Sequence, residues 1–322
     1  MTALEQKLLD TIQDAFPLEE RPYKVLADLL GSGEQAVFDT VEGLRKSGVI
    51  RRIGGIYDSK RLGFISRLCA GKVLDIDQFA AVVNEIPAIT HNYVRSHEYN
   101  VWFTVIAENE ADIQNVVDEI CSKTDLHDVH VLLATKKFKI NTVMGAGLAE
   151  RRKTKDERDF VRSERSESKN LMQTQSSVRI LTDSDRNRIR IACDDIPHTL
   201  TPFTDWNVAL EGLQEDLSAK RMRRFGAILR HQQAGFAYNA MVCFNTAGRS
   251  GEILAKNPHI SHCYERPAFN GFPYNMYAMM HAQSAEDLEQ FIKEAADSIG
   301  NPDFVALHSL KELKKTSYRF FQ

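Results

Sequence analysis

The stretch VIRRIGGIYDSKRLGF at residues 49–64 occurs twice in this chain, returning as RMRRFGAILRHQQAGF at residues 221–236. Further along, each copy carries a second block, ITHNYVRSHEYNVWF at 89–103 and ISHCYERPAFNGFPYNMYAMMH at 260–281. The offset between copies is 171 from His91 to His262 and 175 from Tyr99 to Tyr274, so the second copy carries four additional residues there. A solenoid repeats every ~20–50 residues. This longer period indicates a duplicated module.

The bulk composition is that of an ordinary soluble protein. The 322 residues, 43% hydrophobic and 26% charged, suit two copies of roughly 150 residues, which is a usual domain size. No apolar run approaches the ~18 residues that cross a bilayer, and no signal-peptide pattern follows Met1, so we expect no membrane contact. The five cysteines are odd in number and never form CxxC, which favours a reducing cytoplasm over a disulfide framework or a zinc ribbon.

Each copy predicts the same pair of domains. Apolar residues at helical spacing, broken by Pro17, Pro22 and the GSG at 31–33, indicate three helices, and VIRRIGGIYD predicts a hairpin wing. A β-α-β-β-α-β pattern follows, with strands that include Ile89–His97 and Val129–Lys136, and this is the ferredoxin-like arrangement. The predicted fold class is therefore α+β, a tandem duplication of a winged helix-turn-helix plus a ferredoxin-like domain. The predicted boundaries are 1–60 and 61–147 for the first copy, 148–177 for a charged linker, and 178–236 and 237–322 for the second copy.

The charge of the predicted recognition helices argues against DNA binding. Base reading depends on the N-terminal part of such a helix lying among phosphates. The first helix, residues 34–48, presents carboxylates there and places its basic residues at the far end, and the second, residues 204–220, is also acidic. The net charge of −3 supplies no basic excess that would compensate.

Arginine pairs flank a glycine in both copies, Arg51 and Arg52 in the first and Arg223 and Arg224 in the second. An arginine pair suits bidentate binding of carboxylate or phosphate. The alternative is a wing whose arginines touch the neighbouring domain, and for Arg51 and Arg223 both interpretations stay open.

A second constellation alternates along a predicted strand. His91, Tyr93, Arg95 and His97 are spaced by two, which places their side chains on one face of a sheet. Four such groups are hard to explain as core, because burying them unpaired is costly. The second copy repeats the pattern with three of the four residues, His262, Tyr264 and Arg266, and has alanine at position 268.

The neighbouring strand contributes further candidates. Asn100 and Trp102 of the first copy correspond to Asn275 and Tyr277 of the second, and Tyr274 precedes the second pair. The two large aromatic residues predict either core packing or the apolar wall of a site for a flat ligand. His281 ends a methionine-rich stretch and stays open between a structural and a functional role. No metal-ligand spacing, phosphate-binding loop or nucleophile motif appears, so no metal site is expected.

Together, RRIGGIYDSKRLGF with HNYVRSHEYNVWF, and RRFGAI with SHCYERP and FPYNMYAMMH, resemble the siroheme decarboxylases, which are similar to Lrp/AsnC transcriptional regulators and occur as paired subunits or as fusions. The resemblance implies conversion of siroheme to 12,18-didecarboxysiroheme, in heme d1 or alternative heme biosynthesis, without a separate cofactor. It implies catalytic roles for His91, His97, His262, Tyr93 and Tyr264, and substrate binding by the arginines together with Asn100, Trp102, Tyr274, Asn275, Tyr277 and His281.

The resemblance also implies how the halves associate. We expect the two copies to pair within the chain, and a homodimer of the chain stays an alternative. Because alanine replaces the second histidine at position 268, the expectation is one productive site per chain or two unequal sites. The competing function is an Lrp/AsnC-type DNA-binding regulator that senses a tetrapyrrole.

Overall fold

The computed structural model describes residues 1–140, 181–230 and 238–322, so the predicted linker 148–177 lies outside the described residues. The first copy runs α1 Ala3–Asp14, α2 Pro22–Leu30, α3 Glu34–Lys46, β1 Ile50–Tyr57, β2 Ile65–Lys72, α4 Ile76–Glu85, β3 Ile89–Arg95, β4 Val101–Ala107, α5 Glu110–Lys123, β5 His127–Leu132 and β6 Lys136–Ile140. The second copy runs α6 Asp183–Ala192, α7 Pro202–Asp205, α8 Leu210–Ser218, β7 Met222–Leu229, β8 Tyr238–Phe244, α9 Ser250–Lys256, β9 Ile260–Glu265, β10 Met276–Ala282, α10 Ala285–Ser298 and β11 Phe304–Lys315.

The chain separates into two compact units that do not follow the order of the copies. Met1–Ile56, the described part of Val143–Leu229 and Phe320–Gln322 form the helical unit. Tyr57–Thr142 and Arg230–Arg319, in their described parts, form the sheet unit. Each unit therefore contains one domain from each copy, so like domains associate with like.

In the helical unit the wing strand of each copy, β1 or β7, pairs with the wing strand of the other copy. The sequence predicts a local hairpin at VIRRIGGIYD, and this prediction is wrong, because β1 is a single strand that pairs with β7 of the other copy. The amide of Phe16, just after α1, donates to the carbonyl of Phe225 at 2.9 Å, and Ile196, after α6, donates equivalently to Ile53 at 2.9 Å. Because β1 pairs with a strand of the other copy, the wing does not form a hairpin of its own.

The sheet unit contains two ferredoxin-like halves. The strand order is β5-β2-β4-β3 in the first half and β11-β8-β10-β9 in the second, so the two orders are the same. In both, the first and third strands of the βαββαβ unit lie in the centre. Helices α4 and α5 cover one face of the first half through a cluster that includes Phe79, Phe103 and Ile113, and α10 covers the second through Leu288 and Ile292.

The halves join through their last strands. β11 pairs with β8 over Phe304–His308 and then with β3 of the first half, while β6 leaves the first half and pairs with β9 of the second. The prediction of one strand over Val129–Lys136 is therefore wrong. The strand is interrupted between Leu132 and Lys136, because β5 pairs within the first half and β6 pairs with the second half. The nine strands described in the sheet unit form one sheet, in which the two halves meet edge to edge.

Candidate active site

The sheet face opposite the helices carries the predicted functional residues. We call it the inner face, and define it by the cluster that contains Trp102, Met241, Tyr277 and Leu307, drawn from both halves. Tyr93 pairs directly with Trp102, and Tyr264 with Tyr277. Because directly opposed residues in antiparallel strands project to the same side, both tyrosines lie on the inner face.

The first His-Tyr-Arg row consists of His91, Tyr93 and Arg95 on β3, and its burial increases along the strand. His91 is exposed, Tyr93 is half-buried and Arg95 is only 4% exposed. The Arg95 guanidinium donates to the carbonyl of Leu307 at 3.0 Å and lies 5.0 Å from the Tyr93 ring centroid. Burial lowers the pKa of Arg95 to about 10, still well above neutrality, so a cation remains at the deep end of the row.

The second row, His262, Tyr264 and Arg266, repeats the contacts of the arginine, although all three of its residues are half-buried. The Arg266 guanidinium donates to the carbonyl of Leu132 at 2.7 Å and lies 5.2 Å from the Tyr264 ring centroid. Burial lowers the pKa of Arg266 as well. In both arginines Nε is buried, and no atom of the described residues accepts a hydrogen bond from it. Such an unpaired buried donor is costly, and it suits a ligand acceptor.

Each histidine ring is held by the hydroxyl of the preceding residue. His91 Nδ1 lies 3.0 Å from Thr90 Oγ1, and His262 Nδ1 lies 3.0 Å from Ser261 Oγ. A hydrogen bond at one ring nitrogen fixes the orientation of an imidazole. The same contact therefore orients the histidine in both rows.

His97 does not belong to the first row, which corrects the sequence prediction. Strand β3 ends at Arg95, because the chain turns there: the amide of Arg95 donates to the carbonyl of Asn100 at 2.8 Å. His97 Nδ1 accepts from the backbone amide of Tyr99 at 3.1 Å, and its ring stacks on the Tyr99 ring. Burial lowers the pKa of His97, so the ring is neutral in this hairpin turn. These contacts favour a structural role.

Replacing His97 with alanine should therefore leave the catalytic rate within a few-fold of the parent. The expected change is a loss of roughly 1–2 kcal/mol in the free energy of unfolding, since one hydrogen bond and the ring contacts with Tyr99 and Phe272 disappear. Urea unfolding and a turnover assay on the same variant measure the two effects. A loss of turnover by more than about 100-fold, which is the lower end for removing a general acid, would restore His97 to the catalytic set.

Trp102 and Tyr277 occupy equivalent inner-face positions, with ring centroids 6.3 Å apart. The Trp102 indole donates to the carbonyl of Tyr99 at 2.7 Å. The Tyr277 hydroxyl is buried and has no hydrogen-bond partner among the described residues, and burial raises its pKa above the usual range. Phe272, from the four-residue insertion of the second copy, packs against both rings and is fully buried. Core packing therefore explains much of this aromatic cluster.

Asn100 and Asn275 hold loops. The Asn100 amide accepts from the backbone of Val73 at 3.0 Å and donates to it at 2.8 Å, and Asn275 makes the same two bonds with Thr246. Both side-chain amides are thus used in bonds to the backbone. Tyr274 lies at the edge of the inner-face cluster, and its pKa is raised by burial first and then by the negative charge of Asp303.

His281 lies on β10 at an alternate position to Tyr277 and Met279, which places it on the inner face. Its register partner on β8 is Asn239, a polar residue that the sequence pattern did not indicate. The sequence also missed Glu312, whose carboxylate accepts a hydrogen bond from the Tyr93 hydroxyl at 3.2 Å. No sequence signal could have found Glu312, since it lies 219 residues from Tyr93.

The arginine pairs lie in the helical unit. The Arg52 guanidinium donates to the carbonyls of Asp194 at 3.4 Å and Gly55 at 3.3 Å, and burial lowers its pKa to about 10. A Cβ at Gly54 would lie 2.3 Å from the carbonyl oxygen of Asp194. These contacts correspond to the alternative in which the wing arginine touches a neighbouring domain. Arg51 and Arg224 are half-buried and Arg223 is exposed.

The same unit shows why α3 is poorly suited to DNA. Arg45, one of its two basic residues near the C-terminal end, is 6% exposed in its side chain and forms a 2.6 Å ion pair with Asp195 of the other copy. In the second copy Asp216 on α8 is fully buried between Arg188 and Arg221. Charges that are satisfied within the protein are not available to phosphates.

Within the residues that the structure describes, no group of three histidine, cysteine or carboxylate side chains could hold a metal ion. None of the described helices is long and apolar enough to span a membrane.

Known protein families match both kinds of domain in this chain. The model of the AsnC-like ligand binding domain matches residues 61–139 and 233–314, which are the two ferredoxin-like halves. The model of the siroheme decarboxylase NirDL-like HTH domain matches residues 5–51. A siroheme decarboxylase from Hydrogenobacter thermophilus is 29% identical over 330 aligned residues, covering 98% of this chain and 94% of that protein.

Two further relatives agree with the duplication and the fold. The siroheme decarboxylase alpha subunit of Desulfovibrio desulfuricans is 46% identical over 142 residues, which is 44% of this chain and 82% of that subunit. Relatives named as beta subunits also match less than half of this chain, so the chain fuses what are separate subunits elsewhere. The crystal structure of the siroheme decarboxylase NirDL superposes with a TM-score of 0.70 and 26% identity, covering 99% of this chain and 94% of that chain. The chain therefore belongs to the AsnC-like family and, within it, to the siroheme decarboxylases.

Proposed function

We propose that this chain converts siroheme to 12,18-didecarboxysiroheme by removing two acetate carboxyl groups as CO₂. The observation that carries the proposal is the pair of His-Tyr-Arg rows on one inner face, each ending in an arginine whose buried Nε has no acceptor among the described residues. Siroheme is flat and edged with carboxylates. It needs cationic groups for its edge and an apolar surface for its ring, and the inner face provides both.

The residues suit the chemistry of decarboxylation. When an acetate side chain loses CO₂, the electron pair of the broken C–C bond must pass into the adjoining ring, and protonation of the ring creates that acceptor. A proton delivered to the methylene carbon then gives the methyl group, while the ring returns its proton. One proton is consumed for each CO₂ released. Histidine is suited to both transfers because it titrates near neutrality.

The roles follow from position along each row. His91 is exposed and His262 is half-buried, so both histidines can exchange protons with solvent. Arg95 is buried, and Arg266 is half-buried with a buried Nε, so a carboxylate that reaches either arginine meets a cation that is partly shielded from water. Tyr93 and Tyr264 stand between them and orient the carboxylate or relay a proton. We propose that no separate cofactor takes part, because the ring of the substrate accepts the electrons.

The decisive experiment is anaerobic incubation of the purified chain with siroheme, followed by mass analysis of the extracted tetrapyrrole. Loss of two CO₂ units is the expected result. Binding without a mass change, together with a salt-sensitive shift of promoter DNA, would instead identify a tetrapyrrole-sensing regulator. The acidic and internally paired recognition helices argue against that outcome. Light scattering on the same preparation distinguishes a single fused chain from a homodimer.

A further inference from the structure

The two rows are equivalent within themselves but not in the strands that flank them. β6 lies beside the second row, and the final part of β11 lies beside the first. Lys137 is the register partner of Tyr264, and Glu312 is the register partner of Tyr93. Both flanking residues therefore share the inner face with their tyrosines. At equivalent positions of the two sites, one flank carries an ammonium group and the other a carboxylate.

The neighbouring lysines confirm which face these residues occupy. Lys136, one residue before Lys137, forms an ion pair with Glu252 on helix α9 at 2.9 Å, and Lys311, one residue before Glu312, pairs with Asp77 on helix α4 at 3.3 Å. Residues adjacent in a strand point to opposite faces. The lysines that face the helices are thus matched between the copies, and the asymmetry is confined to the inner face.

Beside the first row, the flanking charges cancel. Glu312 accepts the hydrogen bond of the Tyr93 hydroxyl, and its carboxylate lies 3.7 Å from the Lys315 ammonium group. Lys315 is itself the register partner of His91. The flank therefore contributes no net positive charge, and it places a carboxylate where a carboxylate of the substrate would approach Tyr93.

Beside the second row, the flank is cationic. Lys137 is exposed, and no carboxylate among the described residues forms an ion pair with it. The residue opposite His262 is Ile140, which is uncharged. Lys137 thus adds one positive charge to that of Arg266, and the buried Tyr277 hydroxyl, without a partner among the described residues, lies on the same face.

We propose that the second row is the stronger carboxylate-anchoring site of this chain, that Lys137 is a further binding residue in it, and that Glu312 weakens the attraction of the first row for substrate carboxylates. The proposal rests on the proposed function for its ligand, a carboxylate-edged tetrapyrrole. The reason is electrostatic: Arg266 and Lys137, which form no ion pair with a carboxylate of the described residues, attract a substrate carboxylate together, whereas Glu312 beside the first row cancels part of the attraction of Arg95.

Siroheme titrations of the full-length chain, followed by the absorbance of the tetrapyrrole, test the proposal. We expect Lys137→Ala to weaken binding roughly ten-fold, the loss of one charge-assisted hydrogen bond. Lys136→Ala is the matched control, since it removes the same charge from the neighbouring position on the opposite face, and it should bind as the parent does. Glu312→Gln should bind at least as tightly as the parent. The difference in siroheme affinity between Lys137→Ala and the parent should decrease as salt is added, because salt screens the charge of Lys137.

Two results would overturn the proposal. The first is that Lys137→Ala and Lys136→Ala bind siroheme alike. The second is that Glu312→Gln weakens binding as much as Lys137→Ala does, which would mean that the two rows are used equally. Decarboxylation by the parent chain is measured separately by product mass. If the parent binds siroheme without changing its mass, the proposed activity fails, while the binding comparison between variants still decides where the carboxylates lie.

Discussion

His262→Ala is expected to slow siroheme decarboxylation by about 100- to 10,000-fold, the usual loss when a general acid is removed, while siroheme still binds. The His262 ring is oriented by Ser261 and lies in the row whose flank is cationic. A proton on His262 would therefore lie next to the second row, which attracts the substrate carboxylate. Alanine keeps the strand and removes only the proton donor.

The matched variant is His91→Ala, which makes the same change in the other row. Single-turnover kinetics with product mass as the readout should show a smaller loss for His91→Ala than for His262→Ala. A larger loss of turnover for His91→Ala would show that decarboxylation takes place at the first row. Equal and full activity of both variants would show that neither histidine is the general acid, and His281 would then be the next candidate on the inner face.

Phe272→Ala should lower the free energy of unfolding by about 3–5 kcal/mol, the range for emptying a fully buried phenylalanine site. Phe272 is 0% exposed and contacts Trp102 and Tyr99 of the first half as well as Tyr277 of the second. The four-residue insertion thus places an aromatic ring in the cluster that both halves share. Removing the ring leaves a cavity at the contact between the copies.

Chemical denaturation monitored by tryptophan fluorescence measures this effect. Leu310→Ala is the control, because Leu310 is 65% exposed and its loss should change the free energy by no more than about 0.5 kcal/mol. If Phe272→Ala unfolds at the same denaturant concentration as the control, the inserted ring does not help to hold the two halves together.

Much of the architecture followed from local pattern. The repeated motifs predicted a duplication, and the family model matches both ferredoxin-like halves. The two-residue spacing of His91, Tyr93 and Arg95 predicted a shared strand face, which the pairing of Tyr93 with Trp102 confirms. These predictions succeed because side-chain alternation is a local property of an extended chain.

The errors arose where the partner of a segment lies far away in the chain. The expected wing hairpin became a strand that pairs with the other copy, and the expected strand over Val129–Lys136 divided between two halves. His97 was placed in the row because alternation continues in the sequence beyond Arg95, although the backbone turns there. A period-two pattern cannot indicate where a strand ends.

The sequence by itself determined the duplication, the two His-Tyr-Arg rows and the acidic recognition helices, since each depends on residues that are close along the chain. Only the tertiary structure brought Glu312 to Tyr93 and Lys137 to Tyr264. Those contacts depend on the exchange of β6 and β11 between the halves, which hydrogen bonding between distant strands decides. Strand pairing of this kind leaves no periodic signal in either partner, so the charge that distinguishes the two rows could not be read from either row's own sequence.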